Sequence, residues 1–444
     1  MSYSTEKPAE NALLVGLSVP GISTWEAEDS LDELARLTDT ATIHVVGRMI
    51  QARKHIDATY YIGKGKAHEL KEQAKSTKAD MIIFDNDLSP AQMRNLEELC
   101  ETRVIDRSAI ILDIFSQHAR TRTAQVQVEL AQLNYLFPRL TGHWTHLSRQ
   151  AGGGAIRGMG SAGVRGPGET QLEIDRRLVR GRIGALQREL DKIGSQMATS
   201  RKARGDSFKI ALVGYTNAGK STLMRALSGA DVLIEDQLFA TLDSTTRSVD
   251  IDHSHKILLT DTVGFIKKLP HHLFASFRAT LEETREADLL LHVVDMSHPH
   301  YELQMNTVQS VLAELGVEDK RTLLVMNKID QIGDGDGDSD EMDLHVQAAA
   351  AQPDKVAVSA MNEVGLDVLR QKILYYCQEH EVTLDLQVPQ SEGRLLSQLH
   401  EQAEILEQEY TPENVVIRVR VDRAWAERLD LNRFVAAQQP TLEA

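Results

Sequence analysis

Through its first hundred residues the chain alternates short apolar runs with stretches whose apolar positions recur every three or four residues. ALLVGL, TIHVVGRMI and ADMIIFDND have the continuous hydrophobicity of buried strands, while WEAEDSLDELARL, KAHELKEQAK and SPAQMRNLEELC carry a helical stripe. That alternation predicts a small α/β layer around a parallel sheet. Ser89-Pro90 is a start signal for the third helix. Beyond Ile105 the period changes, and RSAIILDIFSQHARTRTAQVQVELAQLNYLFPRL reads as one long helical run that Pro138 ends. A second run, ETQLEIDRRLVRGRIGALQRELDKIGSQMA, follows eight glycines lying between Gly152 and Gly168. The simplest arrangement is an antiparallel two-helix hairpin with the glycines at or near its tip. From Phe208 the α/β texture returns, with strands at FKIALVG, KILLTDTVG, ADLLLHVVD, RTLLVMNKID and DKVAVSA. From Val382 the pattern is a strand, a long helix containing LLSQLHEQAEIL, the alternating strand VVIRVRV and a short helix. The expected fold class is therefore α/β, in four parts: an N-terminal α/β layer over 1–104, the helical hairpin over 105–206, a central α/β domain over 207–381 and a small C-terminal α/β unit over 382–444.

Composition changes this picture little. With 42% hydrophobic and 26% charged residues, no apolar run approaches the ~20 residues of a membrane span. The start MSYSTEKPAENALLVG lacks the form of a signal peptide. A cytoplasmic, monomeric protein is expected, with peripheral membrane association left open. Cys100 and Cys377 lie far apart, form no C-x-x-C motif or Cys/His set, and read as packed thiols, which argues against a disulfide framework or a zinc site. Charge matters more. The net charge of −16 speaks against nucleic acid, yet Ser116 to Asp206 carries 15 Lys and Arg against 7 Asp and Glu. Arg149, Arg157 and Arg165 sit on or beside the glycines, whose lack of side chains permits close approach to an RNA backbone; Arg176, Arg177, Arg180 and Arg182 continue the series on the next helix.

Two glycine-rich strings compete for a nucleotide. GMGSAG, Gly158 to Gly163, satisfies G-x-G-x-x-G, but no short strand feeds it and no acid ends a following strand, so it lacks the context of a dinucleotide site. The strand IALVG, by contrast, runs into GYTNAGKST, a G-x-x-x-x-G-K-[ST] loop between strand and helix. Gly214, Tyr215, Thr216, Asn217, Ala218, Gly219, Lys220, Ser221 and Thr222 form the candidate phosphate loop. Backbone N–H groups would face phosphate oxygens, Lys220 would supply charge to the β and γ phosphates, and Ser221 would ligate Mg2+. Asp261, Thr262, Val263 and Gly264 end the next strand; Asp261 is placed for the metal and the Gly264 N–H for a γ-phosphate. A hydroxyl from the LFATLDSTT segment should complete the metal site, and Thr241, Thr245 and Thr246 are rivals that spacing does not separate. In NKID (Asn327, Lys328, Ile329, Asp330) the Asp330 carboxylate is suited to accept from guanine N1–H and the 2-amino group together. Ser359, Ala360 and Met361 follow a further strand and offer a backbone N–H to guanine O6. Together these strings point to GTP binding and hydrolysis, with Lys220, Gly264 and one of the three rival threonines as the catalytic candidates.

The order of these motifs resembles the TRAFAC class of P-loop GTPases, and more closely the HflX family. The residues that carry the resemblance are YIGKGKAHEL, QVELAQLNYLFPRL, GPGETQLEIDRR, GYTNAGKST, FATLD, DTVGF and NKID, spread over nearly the whole chain. The resemblance implies a central Ras-like mixed sheet and assigns the switch threonine to Thr241 of FATLD, with Phe239, Ala240, Leu242 and Asp243 beside it. It also implies a GTPase that binds the large (50S) ribosomal subunit and its rRNA and splits stalled or stress-arrested 70S ribosomes. A ribosome-assembly or RNA-modification GTPase is the alternative. Where many GTPases have a glutamine after DTVG, this chain has Phe265, so unstimulated hydrolysis is expected to be slow. Asn217 resembles an asparagine that ligates potassium in some related GTPases, which makes K+ a second candidate ion. YIGKGK is no Walker loop and earns no ATP assignment. His143 and His146 lack a third ligand and are read as surface residues.

Overall fold

The computed structural model describes residues 10–21, 23–140, 171–203, 208–229, 238–239, 241–252, 255–268, 282–332, 349 and 351–435. The chain divides into two compact units, the first within Met1–Met197, Glu235–Asp243 and Ile266–Thr280, the second within Ala198–Ile234, Ser244–Phe265 and Leu281–Ala444.

In the first unit, β1 (Asn11–Ser18), β2 (His44–Ala52), β3 (Met81–Phe84) and β4 (Arg103–Asp106) form a wholly parallel sheet in the order β2-β1-β3-β4. Helices α1 (Thr24–Thr40), α2 (Lys64–Thr77) and α3 (Pro90–Cys100) make the crossovers. The start signals act as their chemistry dictates. Ser23 with Glu26 and Ser89 with Gln92 form reciprocal capping boxes, and Pro90 needs no N–H partner in the first turn. Strand β4 was not among the expected elements because RVID offers only four residues.

The long helical run after Ile105 is two helices, α4 (Arg107–His118) and α5 (Arg122–Leu136). The break has a physical cause. A continuous helix would spend the N–H groups of Arg120 and Thr121 on carbonyls one turn back; here both donate to Asp243 Oδ2, at 3.3 and 3.0 Å, and the Thr121 side chain caps α5 by accepting from Ala124 N at 3.2 Å. Helix α6 (Gln171–Ala203) packs antiparallel on α5. Leu186 is buried with Val126 and Leu130, flanked by the Arg182–Glu129 pair at 2.6 Å and the Arg122–Glu189 pair at 2.7 Å.

The second unit holds a six-stranded sheet in the order β10-β9-β8-β5-β7-β6. Strands β5 (Lys209–Gly214), β7 (Lys256–Asp261), β8 (Leu289–Asp295), β9 (Thr322–Asn327) and β10 (Lys355–Ala357) are parallel, while β6 (Thr245–Asp250) runs antiparallel to β7. Strand β6 is an addition to the expected set, since TTRSVD has one buried residue, Val249. Helices α7 (Lys220–Ser228), α8 (Tyr301–Glu314) and α9 (Leu366–Glu379) belong to this sheet's unit. A three-stranded antiparallel sheet follows, β11 (Glu381–Pro389), β12 (Glu404–Tyr410) and β13 (Asn414–Asp422), in the order β11-β13-β12, with helices α10 (Gly393–Gln402) and α11 (Arg423–Arg428). Here the long terminal helix is corrected. It stops at Gln402, and EILEQEY instead pairs with β13, helped by Arg420–Glu404 at 2.9 Å. None of the described helices is long and apolar enough to cross a membrane.

Candidate functional site

Strand β5 delivers the loop Tyr215–Gly219 to the start of α7, and its backbone explains the two fixed glycines. Gly214 has φ +153°, and a Cβ there would lie 2.3 Å from the Val293 carbonyl oxygen; Gly219 has φ +90°, and a Cβ there would lie 2.3 Å from Asn327 Nδ2. Neither site admits a side chain. Asn217, at φ 60°, turns the loop with its side chain exposed. The loop is laced to the segment after β7: Phe265 N donates to Gly214 O at 3.1 Å and Thr216 N to Phe265 O at 2.8 Å. The Phe265 side chain is buried, so this position presents backbone pairing and no polar side chain.

Lys220 is buried beneath the loop. Its Nζ donates to Tyr215 O at 2.7 Å and Gly214 O at 3.2 Å. Burial pushes its ammonium down to about 8, with Lys328 adding to the fall and Asp261 opposing it. An anion held at the loop would reverse that cost. His292 on β8 is pushed down to about 4, first by burial and then by Lys220, so it packs as neutral imidazole. Ser221 Oγ donates to Asp261 Oδ2 at 2.6 Å, which joins the first residues of α7 to the end of β7. Thr262 Oγ1 donates to Leu212 O at 2.6 Å, and a Cβ on Gly264 would meet Thr216 and, at 3.0 Å, Lys220 Nζ. Val263 is buried, and Thr222 is half-buried on α7.

The remaining motif residues converge on Asn327. Its Nδ2 donates to Ala218 O at 2.9 Å and its Oδ1 accepts from Ala360 N at 3.0 Å, so one buried amide joins the loop, NKID and Ser359-Ala360. Lys328, at φ 63°, pairs through Nζ with Asp295 Oδ2 at 2.7 Å. Ile329 is buried under the turn and Asp330 is half-buried. Ser359 is buried, with its Oγ accepting from Asn362 N at 3.2 Å, whereas Met361 is exposed. Asp295 was not among the candidates. Its only sequence signal is its place at the end of the strand LLHVVD, where its Oδ1 also takes Ser297 N at 3.0 Å.

Phe239, Thr241, Leu242 and Asp243 belong to the first unit. Phe239 meets Phe115 edge-on with ring centroids 4.7 Å apart, Leu242 is buried, and Asp243 accepts from the α4/α5 break as described. Thr245 and Thr246 lie in strand β6, where Thr246 Oγ1 is 3.0 Å from Thr260 Oγ1. Ala240, Arg149, Arg157 and Arg165 lie outside the described residues, as do GMGSAG, His143 and His146. Arg176 and Arg177 are exposed on α6, and Arg176 Nη2 donates to Leu140 O at 3.0 Å. No group of three or more His, Cys, Asp or Glu is placed to hold a metal among the described residues, and both cysteines are buried.

Three family models match in succession: the N-terminal region of GTP-binding GTPases over residues 28–116, their middle region over 118–204, and a 50S ribosome-binding GTPase over 209–328. The chain is 43% identical over 395 residues to the GTPase HflX of Escherichia coli strain K12, covering 88% of this chain and 89% of that one. It is 46% identical over 370 residues to the GTPase HflX of Alkalihalophilus pseudofirmus, covering 83% of each. Among solved structures, a GTP-binding protein from the hyperthermophilic archaeon Sulfolobus solfataricus, in complex with GDP, is 25% identical with a TM-score of 0.40, covering 83% of this chain and 98% of that one.

Proposed function

The chain belongs to the HflX family of GTPases, and from that premise we propose that it hydrolyses GTP in association with the large ribosomal subunit and splits stalled or stress-arrested 70S ribosomes into subunits. The observation that carries the nucleotide half is the Asn327 bridge, because it joins phosphate-loop backbone to both base-reading segments in one buried amide. Gly214 to Ser221 then wrap the phosphates, with Lys220 exchanging its carbonyl partners for β and γ oxygens. Asp330 reads guanine, the Lys328 stem covers its face while Asp295 fixes the ammonium, and the Ala360 N–H faces O6.

Ser221 Oγ and Asp261 Oδ2, 2.6 Å apart, are the hard oxygen donors that magnesium takes. Held there, Mg2+ would supply positive charge that offsets the charge on the phosphates. Thr241, by its place in FATLD, is the proposed second hydroxyl, and the Gly264 N–H is proposed to meet the γ-phosphate. Asn217 is the proposed contact for K+. Phe265 offers no group that orients water, so hydrolysis by the free protein is slow and the ribosome accelerates it.

The ribosomal half rests on the family and on the basic block. Arg149, Arg157, Arg165, Arg176 and Arg177 are the proposed rRNA contacts. Co-sedimentation with purified large subunits tests this. The protein should migrate with them when loaded with a non-hydrolysable GTP analogue, and changing Arg157 and Arg165 together to Ala should weaken binding and flatten its salt dependence while GTP affinity stays unchanged. No co-migration at any salt concentration would overturn the ribosomal assignment.

A further inference from the structure

Thr241 sits between two anchored residues. On one side Phe239, at φ 59°, is buried edge-on against Phe115 of α4. On the other, Asp243 uses both carboxylate oxygens on the α4/α5 break: Oδ2 takes the N–H groups of Arg120 and Thr121, and Oδ1 takes the Thr121 hydroxyl. Thr121 thereby has a double task. Its oxygen accepts from Ala124 N to cap α5, and its proton is given to Asp243. The segment is thus tied to the root of the helix that packs on α6.

We infer that Thr121, acting through Asp243, is a positioning residue for GTP hydrolysis: it fixes the segment that carries Thr241. The inference rests on the reading of Thr241 as a metal-site hydroxyl. A carboxylate bound by two backbone N–H groups and a hydroxyl is held in direction as well as distance. Thr241 lies two residues from this anchor. Release of the segment would conversely leave the Arg120 and Thr121 N–H groups to water, or let the break close into a longer helix.

The capping and positioning tasks separate by substitution. Thr121→Asp keeps a good cap for Ala124 but sets a carboxylate against Asp243, while Thr121→Ser keeps both tasks. With the full chain, Mg2+ and GTP, Thr121→Asp should melt near the wild-type temperature yet lose on the order of ten-fold or more in kcat with little change in KM. Thr121→Ser should restore kcat. Wild-type kcat in Thr121→Asp would overturn the inference. Hydrogen exchange on the unaltered protein gives an independent reading. The Arg120 and Thr121 amides should exchange slowly with a non-hydrolysable GTP analogue bound, and exchange at the rate of unprotected amides would also overturn it. Thr241→Ala distinguishes the two levels. If it leaves kcat unchanged, the Thr241 reading falls and this inference with it; if it abolishes turnover while Thr121→Asp does not, only the inference falls.

Discussion

Between Gly214 and Ser221 the backbone is held by neighbouring backbone, with Phe265 pairing to Gly214 and Thr216, whereas Phe239 and Asp243 are held by side-chain contacts with Phe115 and Thr121, far earlier in the chain. The first arrangement needs glycine at fixed positions because any Cβ would collide, so it leaves a mark in the local sequence. The second needs only that an aspartate meet a broken helix. Asp243 ends the string FATLD, but nothing in the sequence marks Thr121 as its partner. What the comparison teaches is that the phosphate loop leaves its mark in its own string, while the segment from Phe239 to Asp243 takes its shape from α4 and the α4/α5 break.

The sharpest way to break the first half is Gly214→Ala. A methyl group 2.3 Å from the Val293 carbonyl forces β5 and β8 apart, because backbone cannot yield as a side chain can. The φ of +153° adds strain of roughly 1–3 kcal/mol. Titration with fluorescent GDP should detect no binding at concentrations that saturate the wild type. Next comes Asn327→Ala, which leaves Ala218 C=O and Ala360 N–H buried without their amide partner. At about 1–3 kcal/mol for each stranded group, nucleotide affinity should fall by roughly ten- to a hundred-fold or more. An unchanged dissociation constant would show that the bridge is idle.

A third tie bounds the comparison because it is tertiary, like that of Asp243, but lies at the β6–β7 turn and the start of β11. His255 Nδ1 is 2.8 Å from Asp252 and its Nε2 3.1 Å from Glu381. Glu381 above all, then Asp252, raises the imidazole to about 9. Protonated His255 is thus favoured in the folded chain. Its contribution is complete below the ordinary imidazole value of 6.5 and is lost as pH climbs through about 9. Thermal unfolding should find His255→Gln less stable than wild type at pH 6, with the gap closing by pH 10, and GTP affinity at neutral pH unaffected. A gap that widens with pH would reverse the assignment.

Legibility in the sequence followed the same division. The parallel layer, the central strands and the phosphate loop were readable because buried parallel strands are continuous apolar runs and because Gly214, Gly219, Lys220 and Ser221 fall on a strand-to-helix junction. The apolar spacing of the helical run continues through Ala119 without a glycine or proline; the break lies where Asp243 takes the Arg120 and Thr121 N–H groups. Strand β6 escaped notice since an edge strand with one buried residue lacks a hydrophobic signature. Strand β12 is hidden in the sequence because EIL continues the apolar spacing of LLSQLHEQA, and its pairing with β13 is a contact across the chain. At the candidate site the motif residues themselves were legible, but the Asn327 bridge, the Asp295–Lys328 pair and the Thr121–Asp243 tie were not. Each depends on contacts between distant strings.

Sedimentation of purified 70S ribosomes with saturating protein and a non-hydrolysable GTP analogue tests the proposed splitting most directly. The 70S peak should give way to separate subunits, with the protein on the large one; an intact 70S peak at saturation would contradict the proposal.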